Sequence, residues 1–114
     1  MVTDDDRLAL VDELMARYNA QDSAGYAALM TEDAVEAVYR GAVLRDGREG
    51  VRAGLVSMFA QFPQNRSVVN AACAVGDKVV LHEDVFRSVI TPPFAVISIY
   101  SFVGDKIERV EFIR

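Results

Sequence analysis

Apolar positions change their spacing halfway along the chain. Leu8, Val11, Met15 and Tyr18 recur at three- and four-residue steps, which places them on one face of a helix ending near Ala20. Thr3 followed by Asp4, Asp5 and Asp6 favours the start of that helix, because carboxylates suit its positive end. Asp22 or Ser23 caps a short second helix carrying Tyr26, Leu29 and Met30. Residues 34–40 read as a strand and residues 41–47 as a turn. A third helix carries Val51, Leu55, Met58, Phe59 and Phe62 on one face, and Pro63 ends it.

Beyond Pro63 the reading becomes one of strands. Residues 66–75, 78–89, 94–103 and 106–113 are rich in β-branched and aromatic side chains. Val75-Gly76-Asp77-Lys78-Val79 and Val103-Gly104-Asp105-Lys106-Ile107 write the same tight hairpin twice. Gly-Asp at its centre suits a type I′ or II′ turn. Thr91-Pro92-Pro93 makes the middle connection, where a missing backbone donor does no harm. An antiparallel meander following helices predicts an α+β fold.

Composition narrows the function classes. A chain of 114 residues is expected to form one domain. Its net charge of −5 lacks the electrostatic footprint of a nucleic-acid binder. One Cys forms no internal disulfide, and Cys73 reads as a small buried hydrophobe. A single His and a single Cys, without calcium-loop spacing among the acids, lead to an expectation of no metal. No cofactor is expected either. Gly47-Arg48-Glu49-Gly50 lacks phosphate-cradle spacing, and no Ser or Cys sits in a nucleophile motif.

The apolar fraction, 52%, is high for a domain of this size. The excess is expected to line a cavity, a subunit interface or both. A membrane is not the expected partner. The longest nearly apolar run, Phe94–Val103, holds Ser98 and Ser101 in ten residues, and a spanning helix needs about 18 or more. The acidic start, MVTDDDR, does not read as a signal peptide, so a cytoplasmic location is expected by default.

Three stretches now carry a resemblance. They are Tyr18-Asn19-Ala20-Gln21-Asp22 through Leu29-Met30-Thr31-Glu32-Asp33-Ala34, then Asp46-Gly47-Arg48-Glu49-Gly50-Val51-Arg52, then Gly104-Asp105-Lys106-Ile107. With the element order, they make nearly the whole chain resemble the nuclear transport factor 2-like superfamily. That group includes ketosteroid isomerase, limonene epoxide hydrolase and SnoaL-like polyketide cyclases. The resemblance implies a cone: a curved antiparallel sheet wrapped around the N-terminal helices, with an internal apolar pocket. It also implies a homodimer through the outer sheet face.

By the same resemblance, strand alternation assigns the faces. Glu36, Val38, His82, Asp84, Phe86, Phe94, Val96, Ser98, Tyr100, Val110 and Phe112 are expected to face the pocket, with Met58 and Phe62 reaching it from the third helix. The outer face is expected to hold Val35, Ala37 and Tyr39, then Leu81, Glu83, Val85 and Arg87, then Ile97, Ile99 and Ser101, then Arg109, Glu111 and Ile113. Val38, Met58, Phe62, Phe86, Phe94, Val96, Ser98, Tyr100 and Phe112 are the expected substrate contacts.

The known chemistries of the fold match poorly by residue. Tyr18 lies where ketosteroid isomerase has its Tyr, but the base position falls on Val38 and the partner acid at or beside Ser98. The relay positions of limonene epoxide hydrolase fall on Asp84, Phe86 and Phe112, which supply no Arg and no spaced acid pair. What remains is a polar set in an apolar pocket. Glu36 or a His82/Asp84 pair is the candidate acid–base group, and Tyr18 the candidate polariser of a substrate oxygen. The expected partner is a small apolar molecule, and the expected activity an isomerase, cyclase or hydrolase. The alternative is a non-catalytic binding or dimerisation module of the same fold.

Overall fold

The computed structural model describes residues 1–114. Helix α1 (Asp4–Asn19) opens with a reciprocal cap. The Asp6 amide donates to Thr3 Oγ1 at 3.1 Å, and the Thr3 amide donates to Asp6 Oδ2 at 2.9 Å. The helix buries Val11, Leu14 and Met15, with Leu8 and Tyr18 packed against them. In α2 (Ser23–Ala28) the capping side chain is Asp22, whose Oδ1 accepts from the Gly25 amide at 2.9 Å. Leu29 and Met30, expected on this helix, lie beyond it. Leu29 ends it, and fully buried Met30 begins strand β1 (Met30–Val38), earlier than the predicted start at Ala34.

The segment expected to be a turn contains a short strand, β2 (Val43–Asp46), paired antiparallel with β1. Helix α3 (Gly47–Gln61) follows and buries Val51, Leu55 and Phe59. The remaining chain forms β3 (Arg66–Val75), β4 (Lys78–Phe86), β5 (Phe94–Val103) and β6 (Lys106–Ile113). The first of these connections and the last are the expected hairpins. Gly76 and Gly104 adopt φ of 61° and 56°, the left-handed backbone such turns require. Strand β4 stops short of the predicted residue 89, because Ser88 Oγ accepts from the Ile90 and Thr91 amides and turns the chain away.

The sheet order is β2-β1-β6-β5-β4-β3. Strands β3 to β6 are the expected antiparallel meander, but β1 runs parallel to β6, with Glu36 opposite Val110 and Val38 opposite Phe112. The sheet is therefore mixed, not wholly antiparallel. Helix α3 and the meander separate β1 from β6 along the chain, and β6 returns beside it in the same direction. Irregularities at Glu36/Ala37, Val69/Ala71 and Ser101/Phe102 interrupt the ladders and bend the sheet. The helices pack on the concave face, with Leu14, Met30, Leu55, Val79, Ile107 and Val110 fully buried between the layers. Cys73 is exposed on edge strand β3, contrary to the buried position expected of it. No helix is long and apolar enough to cross a membrane.

One polar clamp ties α1 to the edge of the sheet. Asn19 Nδ2 donates to the Ser67 carbonyl at 2.9 Å, and the Ser67 amide donates to Asn19 Oδ1 at 2.8 Å. The clamp satisfies backbone groups that β3, as an edge, cannot pair with another strand. Asn19→Ala is expected to lower stability by about 1 kcal/mol in urea unfolding, the ordinary net loss for such bonds.

Candidate active site

Between the helices and the concave sheet face lies a cavity of about 270 Å³. Met15, Leu44, Met58, Val85, Phe94, Val96 and Phe112 form its apolar wall. Into that wall the fold sets Tyr18, Tyr26 and Tyr100, two carboxylates, Glu36 and Glu83, and three guanidiniums, those of Arg45, Arg87 and Arg114.

Glu36 has no exposed surface. It lies on β1 directly opposite Arg45 of β2, where side chains on paired strands meet. Arg45 Nη1 donates to Oε1 at 2.6 Å, and Tyr26 Oη donates to Oε2 at 2.7 Å. Both oxygens are thus engaged. The Tyr26 phenol is held well above its ordinary pKa, first by burial and then by the negative charge of Glu36. Tyr26 therefore stays a donor to the carboxylate.

Glu83 sits on β4 opposite Val96 of β5 and is only 6% exposed. Its Oε2 has no hydrogen-bond partner, nor has Ser67 Oγ. Burial pushes the carboxyl up to about 7, and the Ser67 hydroxyl offsets only part of that rise. Glu83 therefore changes charge near neutrality inside the cavity. Tyr100 lies beside it. Burial, then the charges of Glu83 and Glu36, hold its phenol well above the ordinary range, and its hydroxyl has only the weak acceptor Met15 Sδ at 3.8 Å.

A polar chain supports Tyr18. Arg87 Nη1 donates to Asn65 Oδ1 at 2.7 Å, and Asn65 Nδ2 donates to Tyr18 Oη at 2.7 Å. Tyr18 accepts here, so its own proton is free to point at a ligand. Burial raises its pKa, while the Asn65 hydrogen bond and the Arg87 charge pull the other way. Arg87 itself lies 5.3 Å from the Phe62 ring centroid and 5.2 Å from that of Phe94.

The structure brings together Tyr18, Glu36, Met58, Phe94, Val96, Tyr100 and Phe112 of the expected set around the cavity. Val38 is on the expected strand but 40% exposed, outside the lining. Phe62 supports Arg87 without lining the cavity, and Ser98 is fully buried with its hydroxyl unpartnered. Strand β4 has the opposite phase to the one expected. Leu81, Glu83, Val85 and Arg87 turn inward, whereas His82, Asp84 and Phe86 turn outward. His82 is exposed opposite Ile97, Asp84 Oδ2 accepts from Asn70 Nδ2 at 3.1 Å, and Arg66 lies 4.1 Å over the Phe86 ring. The reason is a period of two. A shift of one residue exchanges every side chain between faces, and the core takes Val79, Leu81 and Val85.

Glu83, Arg87, Arg45, Tyr26 and Asn65 were absent from the expected site. For Glu83 and Arg87 a signal existed, since the phase Val79, Leu81, Val85 is the more apolar one in β4. Arg45 gave none, because it lies in a segment that reads locally as a turn.

The SnoaL-like domain model matches residues 11–110. The chain belongs to the SnoaL-like family. A cystatin-fold protein from Novosphingobium aromaticivorans is 46% identical, with a TM-score of 0.90, and the match covers 95% of this chain and 97% of that one. A candidate SnoaL-like polyketide cyclase from Jannaschia sp. CCS1 superposes with a TM-score of 0.78 at 17% identity, covering 96% of this chain and 85% of that one. A protein of ketosteroid isomerase-like fold from Catenulispora acidiphila, in complex with trimethylamine, gives 0.77 at 18% identity, covering 92% and 84%. The last two establish the shared fold and no more. No curated protein matches the chain. The nuclear transport factor 2-like cone expected of this SnoaL-like chain is the fold it has.

Two predictions follow from the charges of the site. Arg45→Leu leaves Glu36 buried without its cation and is expected to cost about 3–5 kcal/mol in denaturant unfolding, with Glu36→Gln in the same chain recovering part of it. Glu83 has the opposite pH behaviour to a salt-bridged acid. Its folded value lies above its ordinary 4.5, so the folded state binds the proton more tightly and loses stability as pH rises from 4.5 to about 7. Urea melts of Glu83→Gln should lack a wild-type loss of about 3 kcal/mol across that window.

Proposed function

We propose that this SnoaL-like protein binds a small, largely apolar molecule in its cavity and moves a proton on it, as an isomerase or cyclase does. The observation that carries the reading is Glu83: a buried carboxyl with one unpartnered oxygen in an apolar cavity, with a pKa of about 7. Such a group serves as base when ionised and as acid once it holds the proton. Glu36, with both oxygens engaged, positions the wall and takes no proton from substrate. Tyr18, whose hydroxyl accepts from Asn65, donates to the substrate oxygen on which negative charge develops. Proton removal beside a carbonyl then gives an enolate. Returning the proton to another carbon isomerises the molecule, and attack of the enolate on a second carbonyl closes a ring.

The test is deuterium uptake at carbon beside the carbonyl of small cyclic ketones, followed by NMR. The rate is expected to rise through about pH 7 and then level, and Glu83→Gln is expected to lower it by about 100-fold or more. Binding of the same ketones without exchange would instead favour the non-catalytic module.

A second copy of the chain is the proposed partner at the outer sheet face. Val80, Phe86, Ile97 and Ile99 are only partly covered there, and Ile113 is exposed. Sedimentation equilibrium is expected to give a dimer, and Ile97→Glu a monomer that keeps its fold. A wild-type monomer at micromolar concentration would overturn this.

A further inference from the structure

The cavity holds a cation that the protein itself does not neutralise. Arg87 makes no ion pair with any carboxylate. Its partners are Asn65 Oδ1 at 2.7 Å and Met58 Sδ at 3.0 Å, both neutral and both met by Nη1 alone. The sulfur is a weak acceptor. The guanidinium lies near the Phe62 and Phe94 rings and the Tyr18 hydroxyl, so its position is set while no carboxylate takes its Nε and Nη2 donors. Arg45, by contrast, is compensated by Glu36 at 2.6 Å.

Glu83 is the other acid lining this cavity, and it is not the missing partner. A carboxyl paired with Arg87 would be pulled below its ordinary value, whereas Glu83 is raised above it. The Arg114 guanidinium lies 5.9 Å from the centroid of the same Phe94 ring and adds to the positive side.

We infer that Arg87 receives an anionic group of the substrate, so that the natural ligand is a small carboxylate with an apolar body and not a neutral compound. The inference rests on the proposed use of the cavity for a small molecule. A planar guanidinium with unused donors matches a carboxylate through two parallel hydrogen bonds. The apolar wall of Val85, Val96 and Phe112 takes the body of the ligand. With the anion held at Arg87, the carbon to be deprotonated is presented to Glu83, four residues earlier in the chain and lining the same cavity.

Calorimetric titration of the whole protein with cyclohexanecarboxylate and with cyclohexanecarboxamide tests this. At about pH 6 Glu83 is mostly neutral while the ligand carboxyl stays ionised. The carboxylate is expected to bind about tenfold or more tightly than the amide. Arg87→Gln should abolish that preference and leave the amide affinity within about threefold, whereas Arg87→Lys should keep part of it. Equal affinity of the two ligands for the wild-type protein overturns the inference without needing a variant, and leaves the Glu83 reading standing. A preference that survives in folded Arg87→Gln also overturns it. Binding of neither ligand would sink this inference and the small-molecule reading together.

Discussion

Glu36 can be buried because Arg45 faces it across two strands and Tyr26 closes its second oxygen. A carboxylate out of water costs several kcal/mol unless its charge and lone pairs are met. Meeting them joins three separate elements. Arg45 holds β2 to β1, and Tyr26 holds α2 over both. Arg45 Nη2 also lies 3.9 Å from Met58 Sδ of α3, so the same guanidinium touches the third helix. The cavity wall is assembled around this one compensated charge.

Glu83 shows what the compensation does. It sits in the same cavity, nearly as deeply buried, but has no cation beside it and one bare oxygen. Burial answers by raising its proton affinity, so that it takes up a proton near pH 7. One glutamate is therefore fixed by a cation and a phenol, and the other is left without a charge partner. The uncompensated one destabilises the fold when ionised, because its folded-state proton affinity is raised. Arg87 is the same contrast among the cations. Its place is set by Asn65 and two aromatic rings, but its charge is left open to the cavity.

Several features were legible because their causes are local. The capping box of α1 needs only Thr3 and Asp6, and both hairpins need only a Gly with positive φ at a fixed place. The inward phases of β5 and β6 were the ones the resemblance implied, and Val96, Tyr100 and Val110 are buried there. Strand β4 failed because it carries apolar residues on both phases, and the family resemblance selected the phase holding His82 and Asp84. The core volume chose the other, since Val79, Leu81 and Val85 fit beneath the helices.

From the chain alone came the element order apart from β2, the caps of α1 and α2, the two Gly-Asp hairpin turns and the α+β class. Tertiary structure alone decided which acid is neutralised and which is not. Capping and turn bonds act over a few residues, so their signals lie side by side in the sequence. The properties of a carboxyl depend on what surrounds it in space. The partner of Glu36 lies nine residues away on a strand that looked like a turn, and the proton affinity of Glu83 depends on neighbours brought together only when helices and sheet close around it.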